Sequence, residues 1–135
     1  MQNIKFPRII NYEKYRYNSV SFTNISNIVL YLFKVKLSIG NKQITWIPRD
    51  YDPITSLGMT LNDAVDVLLD LTPKNYLRGP SFDHNGDGTE IWEFIYIWGD
   101  NSIPIYIKLK FQDSKCKVLS FHKSNKLFIL PYSEN

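Results

Sequence analysis

Five side chains of complementary chemistry stand in the sequence: Arg78, Glu93, Tyr106, Lys108 and His122. Together they suit metal-independent cleavage of RNA through its own 2′-hydroxyl. That reaction needs a base for the 2′-hydroxyl, a cation for the charge on the phosphorus oxygens, and an acid for the departing 5′-oxygen. Glu93 or His122 fits the base. Arg78 and Lys108 fit the cation, because positive groups fixed where charge develops give large rate gains. His122 or Tyr106 fits the acid, histidine being the side chain that exchanges protons near neutral pH. A plainer reading exists for the same residues. Glu93 and Lys108 would then be a cross-strand ion pair, and Tyr106 and His122 a polar pair on a half-exposed sheet.

A β-hairpin over Pro104–Ser124 has to bring these groups together. Ile105, Ile107, Leu109 and Phe111 alternate with Tyr106, Lys108 and Lys110, so one set is buried and the other faces away. In the second strand Leu119 and Phe121 share one face, and Val118, Ser120 and His122 the other. Pairing Ile107 with Phe121 and Leu109 with Leu119 keeps the apolar face continuous. That register leaves Asp113, Ser114 and Lys115 as the loop. It sets Tyr106 opposite His122 and Lys108 opposite Ser120. The preceding strand, Ile91–Trp98, is apolar on both faces, as a central strand should be. A turn over Gly99–Ser102 then puts Phe94 against Ile107, Glu93 against Lys108 and Ile95 against Tyr106. Arg78 stands on the loop leading in. The expected buried face is Trp92, Phe94, Ile107, Leu109, Leu119 and Phe121.

The helices that cover this face are legible upstream. Thr23 or Asn24 caps a helix over 25–38, with Ile25, Ile28, Val29, Leu32 and Phe33 at helical spacing. Gly40 marks its end. A short extended piece follows over 43–47, ended by Pro48, then a turn of helix or a loop over 49–58 that finishes at Gly58. Thr60 caps a second helix over 61–71, and Asp63 completes a variant capping box. Leu61, Ala64, Val65, Leu68 and Leu71 form its stripe. Thr72-Pro73 starts a new turn, and Gly79-Pro80 breaks the chain before a polar loop. That loop, Asp83-His84-Asn85-Gly86-Asp87-Gly88, begins like a calcium loop. Its twelfth position is Phe94 instead of a bidentate glutamate, so it reads as a solvated turn. Leu127–Leu130 fits a last short strand. The expected fold class is α+β: an antiparallel sheet of three to five strands with two main helices on one face. One domain spans 1–135, with 1–22 as an N-terminal extension.

The 135 residues suffice for one core, and the net charge of +3 is mild. The charge is uneven: Pro104–Lys126 holds six lysines and Asp113 as its one acid. This patch implies an anionic partner, with Lys110, Lys117 and Lys123 as expected RNA contacts. In the extension, Lys5, Arg8, Lys14 and Arg16 interleave with Phe6, Tyr12, Tyr15 and Tyr17. That mixture fits either single-stranded nucleic acid or an edge strand or loose arm. The single cysteine, Cys116, points to a reducing cytoplasm. No apolar run reaches a membrane span, and the first residues lack a signal-peptide core. Histidines and cysteines are too few for a zinc site, and no phosphate loop or nucleophile elbow occurs. No metal and no cofactor are expected.

The ordered set L-T-P-K-N-Y-L-R-G-P (71–80), I-W-E-F (91–94), I-Y-I-K-L (105–109) and L-S-F-H-K (119–123) resembles the MqsR-like toxins of bacterial type II toxin–antitoxin systems. The resemblance covers about residues 45–124 and implies a RelE-like fold. It also implies an mRNA endonuclease, independent of the ribosome and neutralised by a cognate antitoxin. Its substrate would be single-stranded mRNA, and its action would stop translation and growth. The family's functional positions fall on Arg78, Glu93, Tyr106, Lys108 and His122. Glu93 replaces a glutamine and His122 a lysine of the best-known member type, which makes a two-residue acid–base pair more plausible in this chain. The alternative from another class is a non-catalytic RNA- or protein-binding module on the same scaffold. RNA cleavage that survives EDTA and fails without His122 would separate the two.

Overall fold

The structure, a computed structural model, describes residues 22–48, 52–82 and 88–134. The N-terminal extension up to residue 21 and the calcium-like loop over 83–87 lie outside the described residues. Helix α1 (Ile25–Gly40) leads to β1 (Ile44–Trp46), a short α2 (Pro53–Ser56) and α3 (Leu61–Asp70). A 3-10 turn at Pro73–Asn75 opens four strands: β2 (Tyr76–Phe82), β3 (Glu90–Trp98), β4 (Ile103–Gln112) and β5 (Lys115–Lys123). The five strands form one sheet in the order β1-β5-β4-β3-β2. The fold is α+β, as expected, but the sheet is mixed because β1 runs parallel to β5. A three-residue strand carries no pattern that shows its partner or its direction.

Both main helices begin where their caps predict. The Asn24 side chain accepts from the Asn27 backbone N–H at 2.9 Å. Thr60 and Asp63 satisfy each other's backbone N–H groups at 3.1 and 2.9 Å. The buried stripe of α1 is rotated from the expected one. Ile28, Tyr31, Leu32, Val35 and Ile39 are buried, whereas Ile25, Val29 and Phe33 are exposed. Apolar residues surround this helix, so spacing alone selects no face. Tyr31 selects it: its ring stacks on Trp92 of β3 at 4.1 Å between centroids. In α3, Ala64, Val67, Leu68 and the adjoining Leu71 are buried, and Leu61 is exposed. The two helices are tied where Lys36 Nζ donates to the Leu71 carbonyl at 2.7 Å.

The hairpin keeps the expected register at its open end. Ile107 pairs with Phe121, Tyr106 with His122 and Lys108 with Ser120. Nearer the turn the register slips by one, so Leu109 faces Val118 and Leu119 is the extra residue of a bulge. Val118 and Cys116 are therefore buried, and Leu119 is not part of the core. The turn is the cause. It has two central residues, Asp113 and Ser114, with φ of +56° and +62°, in place of the expected three. Such a turn matches the strand twist, and the bulge absorbs the one-residue difference.

Two further expectations change. Gly79-Pro80 lies inside β2, so Arg78 sits on an edge strand and not on a loop. Gly79 has φ of +119°, and a Cβ there would meet the Ile91 carbonyl oxygen at 2.7 Å. Glycine is what lets the strand bulge at this point. Leu127–Leu130 forms no strand. The C-terminal segment leaves β5 where the Ser124 N–H donates to the Pro104 carbonyl at 2.8 Å. It ends where the Tyr132 hydroxyl donates to the Thr23 carbonyl at 2.6 Å.

Phe94 is fully buried between the helices and the sheet. Urea melts of Phe94→Ala should show a loss of about 3–5 kcal/mol, and Leu119→Ala should cost far less. Equal losses would mean that Leu119 shares the core after all.

Candidate active site

The site is built on the face of the sheet turned away from α1 and α3. Trp92 and Phe94 point into the core, so Glu93 and Ile95 point the other way. One register row runs across four strands: Arg78, Glu93, Lys108 and Ser120. The next row holds Ile95, Tyr106 and His122. Four of the five candidate residues thus occupy the positions that alternation assigns. Arg78 joins them from the edge strand.

Glu93 is the hub, and it is only 6% exposed. Its Oε2 accepts from Arg78 Nε at 2.9 Å, and its Oε1 accepts from Arg78 Nη2 at 3.0 Å. Tyr106 also donates its hydroxyl to Oε1. A buried carboxylate is tolerated only when its oxygens are well served, and a forked guanidinium does this best. The cross-strand pairing with Lys108 expected from register is replaced by Arg78 on the other side. Both Glu93 oxygens are occupied by Arg78 and Tyr106, so Glu93 anchors its neighbours in this arrangement.

The neighbours are tuned by that anchor. The hydrogen bond to Glu93 holds Arg78 more firmly protonated than usual, against the opposing effect of burial. Burial pushes the Tyr106 phenol well above the ordinary tyrosine range, and the hydrogen bond to Glu93 adds to it. Tyr106 therefore keeps its proton across the physiological range. Its ring lies 5.4 Å from the His122 ring, tilted by 36°. His122 Nδ1 is 2.9 Å from the Lys123 carbonyl oxygen. A carbonyl only accepts, so Nδ1 carries a proton and Nε2 is the nitrogen free to exchange one.

Residues 29–123 match the family described as "Motility quorum-sensing regulator, toxin of MqsA". The chain belongs to this toxin family. The match takes in most of α1 and runs through β5, so it includes every candidate catalytic residue. It starts earlier than the resemblance read from the motifs. As a member of the MqsR toxin family the chain is a toxin of a toxin–antitoxin system, and the family implies a cognate antitoxin as partner. No curated protein and no solved structure matches the chain. No helix among the described residues is long and apolar enough to cross a membrane.

The lysines expected to hold RNA are divided by the fold of this toxin. Lys110 is only 8% exposed. Lys117 donates to Gln112 Oε1 at 2.9 Å. Lys123 is exposed, but alternation puts it on the side of Phe121, away from the site. Lys108 remains the half-buried lysine in the row with Arg78 and Glu93. Among the described residues no cluster of three or more histidine, cysteine or acidic side chains has metal-binding geometry. One neighbour escaped the sequence reading: the Phe128 ring lies 5.8 Å from Arg78 Cζ. Its signal is the wholly apolar run Leu127–Leu130, which by itself suggests only a short strand.

The raised Tyr106 has a thermodynamic consequence. Its folded-state value exceeds its unfolded one, so its contribution is fully present below the unfolded value of about 10 and is lost as pH rises above that. Tyr31 and Tyr76 are raised as well, both by burial first. Stability should therefore fall with pH beyond the ordinary tyrosine range, and Tyr106→Phe should make that fall shallower. Melts of both proteins across the alkaline range measure it; parallel curves would show that Tyr106 ionises as freely folded as unfolded.

Proposed function

We propose that this toxin is an endoribonuclease that cleaves single-stranded mRNA in the cytoplasm by attack of the 2′-hydroxyl, stopping translation and growth. The observation that supports this most is the single row and its neighbour: two cations, a protonated phenol and an imidazole gathered around one buried carboxylate. Glu93 fixes the Arg78 guanidinium by its Nε–Nη2 edge, which leaves other N–H groups for a phosphate. Lys108 adds charge from the adjacent strand. Both cations stabilise the phosphorane as negative charge gathers on its equatorial oxygens.

The proton path follows from the tautomer and from Tyr106. His122 Nε2 takes the 2′-hydroxyl proton as the 2′-oxygen bonds to phosphorus. The bond from phosphorus to the 5′-oxygen breaks, and Tyr106 gives that oxygen its proton. A phenol with a raised pKa still protonates an alkoxide, because the alkoxide is the stronger base. The products are a 2′,3′-cyclic phosphate and a 5′-hydroxyl. Imidazolium then returns a proton to the neighbouring phenolate, which restores both groups. The cognate antitoxin is the partner that holds this activity in check.

The test is cleavage of a defined RNA in EDTA, with melts of each variant. His122→Ala should lose about two to four orders of magnitude in rate while remaining folded. Lys108→Ala should weaken RNA binding more than His122→Ala does, since its role is charge. Near wild-type cleavage by folded His122→Ala would remove histidine from the proton path.

A further inference from the structure

The C-terminal segment lies beyond the family match, which ends at residue 123. It is nonetheless fastened to the site's own surroundings at both ends. Ser124 is joined to Pro104, one row from the pair Tyr106–His122. Tyr132 is joined to Thr23, packs against the core, and lies 6.0 Å from the Tyr76 ring of β2. The segment therefore runs from the β4–β5 side of the sheet to its β2 edge. Between the anchors its side chains alternate. Leu127 and Ile129 are 95% and 83% exposed, and Phe128 and Leu130 are half-buried. Phe128 is not a member of the core cluster. What it meets is the Arg78 guanidinium, at 5.8 Å from centroid to Cζ.

A phenylalanine carried by an anchored segment, outside the core and beside a phosphate-binding arginine, has a specific use in RNA binding. A nucleobase hangs one ribose away from its phosphate. A phosphate held by Arg78 thus brings its neighbouring base within reach of a ring at this distance. Aromatic rings bind bases of single strands by stacking, tolerant of sequence because every base has a π-face. Arg78 and the ring also support each other by cation–π attraction, which keeps the ring beside the guanidinium.

We propose that Phe128 is the base-stacking platform of the site, receiving the nucleobase next to the phosphate held by Arg78. This rests on the endoribonuclease reading above. The C-terminal segment is then a substrate-binding element added to the family's matched region. Stacking needs a π-face, so apolar bulk alone does not replace it.

The experiment compares wild type with Phe128→Ala, Phe128→Leu and Phe128→Trp. Binding is read as the anisotropy of a labelled 2′-O-methyl RNA, which has no free 2′-hydroxyl to attack. Turnover is read separately on the unmethylated RNA in saturating amounts, with melts as a check on folding. Loss of a stacked base should weaken binding by about tenfold to a hundredfold in both Phe128→Ala and Phe128→Leu. Phe128→Trp should bind at least as well as wild type. Turnover at saturation should change far less than binding in all three. Wild-type affinity in Phe128→Leu would reduce the residue to apolar packing and overturn the proposal. Tighter binding or faster cleavage by Phe128→Ala would make the segment an obstruction and overturn it too. A wild type that binds the RNA but cleaves none would reject the endoribonuclease reading, and the proposal with it, whatever the variants do.

Discussion

The site depends on one ion pair, between a half-buried guanidinium and a buried carboxylate. Glu93 is taken out of water on a sheet face, and such a carboxylate is costly unless its oxygens are filled. Arg78 fills them with two N–H groups, and Tyr106 adds a third donor. Each partner is thereby given a fixed place. Three strands are clamped at the same time, because Arg78, Glu93 and Tyr106 come from β2, β3 and β4. Removing Arg78 would leave the buried Glu93 carboxylate with the Tyr106 hydroxyl as its remaining donor among these three, which is costly.

The rest of the fold serves this clamp. Tyr31 and Tyr76 press rings against Trp92, which seats β3 on the helices and turns Glu93 to the other face. Gly79 lets the edge strand approach β3 closely enough to deliver Arg78. The bulge at Leu119 reconciles a tight two-residue turn with the pairing of Tyr106 and His122. The single cysteine takes no part in this. Burial raises the Cys116 thiol to about 12, so it behaves as a small apolar side chain.

Much of this was legible in the sequence because alternation is a strong signal. Period two placed Glu93, Tyr106, Lys108 and His122 on one face, and the registers of β3 with β4 and of β4 with β5 at that height agree. The helix caps at Asn24 and Thr60 were readable for the same local reason. What failed depended on distant contacts or on small geometric choices. The face of α1 was decided by Tyr31 stacking on a strand far along the chain. The bulge was decided by Asp113 and Ser114 both adopting positive φ, which neither residue type announces. Gly79-Pro80 reads as the end of an element and so places Arg78 on a loop, yet an edge strand tolerates both residues. Register showed which groups are near Glu93 but not which of them it binds. That choice followed from burial, which favours the forked guanidinium over an ammonium.

Membership of the toxin family and the clamp point in the same direction. The family gives the biological role, and the chemistry proposed for the clamp is one in which the RNA supplies its own nucleophile. The end groups of the RNA products distinguish this chemistry from hydrolysis by an activated water. Mass spectrometry of fragments from a defined RNA, cleaved by the purified toxin in EDTA, reads them directly. The account predicts 2′,3′-cyclic phosphate ends paired with 5′-hydroxyl ends. Fragments with 3′-hydroxyl and 5′-phosphate ends would contradict it.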